Sequence, residues 1–114
     1  MKLLTAAIIK KLDKTPLYST ENRNVVPVLV KFFAPWNGYT YYVIEAEKIV
    51  EDNRTDYRFF GLVTGLQEDE LGYTMLSELQ GIRGRFGLKI ERDMYFDNMM
   101  LNKQTHELTK VVPG

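Results

Sequence analysis

The stretch VVPVLVKFFAPWNGYTYYVIEAEKIV, from Val25 to Val50, restricts the fold of this chain more than any other. β-branched and aromatic residues fill both halves, a composition that favours strands over helices. Between the halves lies Asn37-Gly38. This pair is the strongest short hairpin signal, because both residues tolerate positive φ. We therefore expect a strand over Val25–Ala34, a two-residue turn and a return strand over Tyr39–Val50. That register sets Trp36 opposite Tyr39, Ala34 opposite Tyr41 and Phe33 opposite Tyr42. Side chains alternate along a strand, so Phe32 and Tyr41 project to one face and Phe33 and Tyr42 to the other. Pro27 lacks a ladder donor, which places a strand beginning or a sheet edge there.

The flanking segments supply the rest of the fold. Thr5 caps a helix running to about Lys11 or Leu12, with Lys10, Lys11 and Lys14 at its electronegative end. Pro16 stops it by forcing Thr15 out of the α region. After a polar loop at Glu51–Asp56, Tyr57–Leu66 reads as a third strand and Gly72–Leu76 as a fourth. Ser77 and Gln80 stand at capping-box spacing and open a short second helix. Leu88–Phe96 is a fifth strand or extended segment. The expected class is α+β: a mainly antiparallel sheet of four to five strands with an N-terminal helix and a short second helix. One domain spans 1–114, and its tail is expected to fray after about Lys103.

Composition narrows the chemistry. There is no cysteine, which excludes disulfides, thiol nucleophiles and cysteine-ligated metals and suits a reducing cytoplasm. No apolar run approaches the roughly 18 residues of a membrane span. Met1–Lys14 reads as an amphipathic helix and not as a leader. Net charge is zero, but its distribution is uneven. Residues 1–31 hold six bases and two acids (+4), residues 32–78 three bases and nine acids (−6), and residues 79–114 six bases and four acids (+2). A basic face and an acidic face would result if the two ends fold together, and such asymmetry steers charged partners.

Three places could carry a site. The first is the aromatic hairpin, where Trp36, Tyr39 and Tyr41 could form a platform that stacks bases or docks a peptide. The second is GIRGRFGLKIERD, residues 81–93, where glycines and Arg83, Arg85 and Arg92 resemble an anion-gripping loop. It lacks the Gly-Lys-Ser/Thr of a Walker loop and the long helix of a dinucleotide fingerprint. Gly84 and Gly87 are read as conformational, and Arg83 and Arg85 as the arginines most available to a partner. The third is the pair Glu45 and Glu47, at i, i+2 on one strand face, with Glu91 as a further acid. The only histidine, His106, lies in a polar tail. No cofactor, metal site or catalytic residue is indicated.

The blocks MKLLT, PLYSTE, VKFFAPWNGYTYYVIEAE, FFGLVTGLQEDELGYTMLSEL and RGRFGLKIERDMYF occur in this order. Together they resemble a small bacterial family of unknown function carried on plasmids, phages and integrating elements, and the resemblance runs from Met1 to Phe96. It implies a mobile-element accessory role, sometimes beside antirestriction-type proteins, and supplies no catalytic residues. The expected function is a non-catalytic protein-binding module, acting on a host or element-encoded partner and interfering with host defence. A nucleic-acid-binding accessory, with Arg83, Arg85, Lys89 and Arg92 on phosphates, is the first alternative. A small acid–base enzyme using Glu45, Glu47 or Glu91 is the second.

Overall fold

A computed structural model describes residues 2–111. Thr5 caps helix α1 (Ala6–Asp13), its hydroxyl accepting from the Ile8 amide at 3.2 Å. The strands are β1 (Val25–Pro27), β2 (Val30–Phe33), β3 (Thr40–Glu51), β4 (Arg54–Thr64), β5 (Glu70–Met75), β6 (Glu91–Arg92), β7 (Met99–Asn102) and β8 (Leu108–Lys110). Helix α2 (Leu76–Gly81) follows β5 directly. All pairings are antiparallel, in a five-stranded sheet of order β5-β4-β3-β2-β6 and a three-stranded sheet of order β1-β7-β8. The class is α+β, as expected; the second sheet is an addition to that expectation.

The run expected as one strand from Val25 to Ala34 is divided between the two sheets. Pro27 closes β1 at the edge of the small sheet. The chain then crosses over, with the Val28 amide bonded to the Met99 carbonyl (2.9 Å) and the Leu29 amide to the Val43 carbonyl (2.7 Å). This corner joins two cores. On one face of the large sheet, Phe32, Tyr41, Val43 and Phe59 pack with Leu12 of α1 and Leu79 of α2. On the other, Ile44 and Leu62 pack with Val26 and Leu101 of the small sheet.

The two hairpin turns exchange the roles expected of them. Glu51 pairs with Arg54, leaving only Asp52 and Asn53 in the loop, at φ 47° and 63°. Positive φ at both central residues is the mark of a type I′ turn, so the expected polar loop is mostly strand. Asn37-Gly38 instead lies in a longer turn. The last ladder pair is Phe33 with Thr40, and the Ala34 amide donates to the Tyr39 carbonyl at 3.0 Å. The register is therefore two residues off the expected one, and Gly38 does not adopt positive φ. Pro35, fixed in φ beside Trp36, starts a wider turn than Asn-Gly alone would make. The second helix also departs from expectation. Its first amides are met by Glu78, accepting from Met75 N (3.2 Å), and by Asp56 of β4, accepting from Ser77 N (3.1 Å). A carboxylate reaching in from another strand has displaced the Ser77 cap.

Residues after Lys103 complete the small sheet through β8, with His106 at φ 64° in the turn before it. Of the tail expected to fray after about Lys103, positions 112–114 lie outside the described residues.

β3 carries an irregularity between Val43 and Glu45. Gly61 opposes Val43, and a Cβ on Gly61 would lie 2.1 Å from the Tyr42 carbonyl oxygen, so only glycine permits this approach. The extra residue turns Ile44 and Glu45 in succession into the protein, and Glu45 is only 4% exposed. Its carboxylate accepts from Tyr18 N (2.8 Å), Thr20 N (3.0 Å) and the Thr20 hydroxyl. Replacing Glu45 by alanine strands these donors. We expect Glu45→Ala to cost roughly 2–4 kcal/mol in urea unfolding, against under about 1 kcal/mol for Glu47→Ala, whose side chain is half exposed and 3.8 Å from Arg58.

Candidate functional site

The glycine-rich segment forms a closed loop. Its neck is an antiparallel bridge between Arg83 and Lys89, tightened by Gly84 N to Leu88 O at 2.7 Å. Its tip is the turn Arg85–Leu88, closed by Leu88 N to Arg85 O at 3.2 Å. The central residues, Phe86 and Gly87, both have positive φ, 58° and 73°. Such a turn ordinarily takes Asn, Asp or Gly at its first central position. Here that position holds a phenylalanine whose side chain is 99% exposed.

Both glycines are conformational, for different reasons. Gly87 supplies positive φ. Gly84 is extended (φ −97°) but lies against the Trp36 indole, where a Cβ would stand 2.1 Å from Cδ2. The loop is thus seated on the β2–β3 turn by glycine-to-indole packing, and Trp36 spends its ring on that seat.

The other expected site residues separate accordingly. Arg83 folds back onto α2, with Nη1 donating to Gln80 O (2.6 Å) and Ile82 O (3.0 Å), which satisfies carbonyls at the helix end. Arg92 Nη1 donates to Lys2 O at 2.6 Å and ties β6 to the N-terminal segment. Arg85 is exposed at the tip, and its guanidinium has no hydrogen bond or ion pair among the described residues. Tyr41 is fully buried, with its hydroxyl donating to Gly72 O at 2.9 Å. Tyr39 is half-buried against the same core. The expected aromatic platform is therefore an interior: α1 and α2 cover one face of the hairpin and the small sheet the other. Burial, with Glu78 nearby, pushes the Tyr39 hydroxyl from 10.0 up to about 12. Burial also pushes the Tyr41 hydroxyl up.

The acids do not form a catalytic pair. Glu45 is consumed by the Tyr18–Thr20 loop, Glu47 lies beside Arg58, and Glu91 sits on the two-residue edge strand opposite Phe33. No group of three or more His, Asp or Glu with metal-holding geometry occurs among the described residues. No described helix is long and apolar enough to cross a membrane.

Phe86 was not among the residues expected from sequence. Its one signal is an aromatic residue enclosed by Gly84 and Gly87, where no strand alternation gives it a core face. Tyr95, in the turn after β6, is also 91% exposed.

A family described as protein of unknown function (DUF2958) matches residues 3–106 of the chain. No curated protein and no solved structure matches it.

Trp36 is the only tryptophan and reports directly on the loop seat. Gly84→Ala should red-shift its fluorescence and lower Tm by several degrees. Gly81→Ala, with open space at its Cβ, should do neither. Tyrosine titration gives a second check. The Tyr39 hydroxyl is raised in the folded state, so its contribution to stability is complete below pH 10.0 and is lost as pH rises through about 12. Ultraviolet titration should show two tyrosines, Tyr39 and Tyr41, ionising after the others and together with alkaline unfolding.

Proposed function

The chain belongs to the DUF2958 family, and from that premise we propose that it is a non-catalytic protein-binding module. It serves as an accessory of a mobile genetic element and meets a host or element-encoded protein through the Arg83–Lys89 loop. The observation that carries this reading is Phe86. A bulky residue at positive φ costs on the order of 1–3 kcal/mol, and full exposure of its ring returns none of that through burial. Strain without a folding benefit is what a presented contact residue looks like. Phenylalanine and arginine are both enriched at protein interfaces, and Arg85 adjoins Phe86. The mobile-element role rests on the resemblance of the five sequence blocks.

The nucleic-acid reading has less behind it. Two of its four cations, Arg83 and Arg92, spend guanidinium hydrogens on carbonyls of their own chain. Arg85 and Lys89 are left, and two phosphate contacts give only weak, shallowly salt-dependent binding.

The test is photo-crosslinking in bacterial cells, with a benzoylphenylalanine placed at position 86 and, as control, at the exposed Val50. Protein adducts are expected from position 86 only. They should disappear with Arg85→Glu in the crosslinking chain, while Phe86→Ala should leave Tm within about 1 °C of the parent. Equal adducts at both positions, or none at 86 alongside a steeply salt-dependent gel shift, would overturn the proposal.

A further inference from the structure

We infer that the apolar groove between the N-terminal segment, α1 and α2 is the seat of an acidic partner segment carrying a large apolar side chain. The inference deepens the protein-binding reading and rests on it.

The groove has a volume of about 530 Å³, within the range of sites that enclose a ligand group. Its floor is made by Leu3, Tyr57, Leu76, Leu79 and Ile90, all residues of the core. The floor is therefore preformed and apolar. Among the described residues Lys2 and Lys89 line it together with Gln80 and no carboxylate does, the nearest acid in effect being Asp13, which acts on Tyr57 from outside the lining. In a chain with equal numbers of acids and bases, this is the charge pattern of a receptor for anions. The depression at the β3–β4 hairpin differs: there Glu51, Asp52 and Asp56 are offset by Arg54 and Arg58.

Both cations are held by their backbones. Arg92 donates to the Lys2 carbonyl, and Lys89 is bridged to Arg83 at the loop neck. Neither ammonium group is in a salt bridge among the described residues. Lys89 also makes the groove continuous with the loop that presents Phe86. A partner gripping the loop tip has its next segment beside the groove. That continuity favours a protein segment over a free amphiphile: carboxylates meet Lys2 and Lys89, and an apolar side chain between them enters the groove.

The test is a titration of the full ¹⁵N-labelled chain, followed by amide correlation spectra. The probe is a synthetic peptide with Leu-Phe flanked on each side by two glutamates. Saturable shifts are expected at Leu4, Ile9, Gln80 and Lys89. Affinity should fall about tenfold or more when lysines replace the glutamates or serines replace Leu-Phe. It should fall similarly in Lys2→Glu/Lys89→Glu; if that variant loses the native spectrum, Lys89→Gln takes its place, with a smaller loss. Absence of shifts at millimolar peptide, shifts mapping elsewhere, or equal binding of the lysine peptide overturns the inference. So does tighter competition by oleate alone, which would assign an amphiphile, or occupation of the groove by a second copy on concentration. The short peptide is expected to fill the groove alone, so its binding and the crosslinking at position 86 are separate readouts; Val50→Ser, exposed and outside the groove lining, should change neither. Loss of crosslinking at position 86 with retained peptide binding therefore marks failure of the loop reading, and the reverse result marks failure of the groove.

Discussion

The buried carboxylate of Glu45 is the junction on which the architecture depends. β2 reaches only as far as Val30, opposite Val43, so beyond the bulge β3 has an open edge on that side. The chain after α1 fills the gap: Ala46 N donates to Thr15 O at 3.0 Å, and Glu45 takes the amides of Tyr18 and Thr20. Lys103, in the turn that leaves β7 of the small sheet, then donates to the Thr20 carbonyl. One acid on the bulge thus connects the large sheet, the exit of α1 and the small sheet. Burying a carboxylate is expensive unless its lone pairs are met, and here they are met by the segment that needs anchoring. The left-handed backbone of Tyr18 (φ 71°) is held by the same contact.

A strained aromatic residue can therefore mean two things in this molecule. Tyr18 is held by a buried acceptor, and its conformation serves the fold. Phe86 has a similar φ and is 99% exposed, against 65% for Tyr18, and no side-chain acceptor holds its amide among the described residues. The difference lies in what surrounds each residue, and it is the reason the Arg83–Lys89 loop, rather than the Tyr18 loop, is read as a contact surface.

The arginines and lysines divide in a similar way. Arg83 and Arg92 shape the protein: one satisfies the end of α2, and the other binds the N-terminal segment to β6. By fixing the backbones of Lys89 and Lys2 they set two ammonium groups beside an apolar groove. Charge asymmetry between the ends and the middle of the chain is in this way converted into a local basic rim.

Much of the fold was legible in the residues themselves. Thr5 as a cap, β-branched and aromatic runs as strands, Pro16 as a stop and the short second helix all follow from local chemistry, which acts within a few residues whatever lies beyond them. The alternation that puts Phe32 and Tyr41 on one face is equally local. What only the tertiary structure decided has a common cause, the approach of segments distant in sequence. The split of Val25–Phe33 between two sheets depends on β7, some seventy residues on. The burial of Tyr41 depends on two helices and a second sheet, and the displacement of the Ser77 cap depends on Asp56. The glycine at 84 is explained by the Trp36 ring and not by its own φ. The candidate site was half visible: the sequence marked the glycine loop and its arginines, but which arginine points outward, and that Phe86 is presented, depends on which carbonyls and rings the folded chain brings within reach.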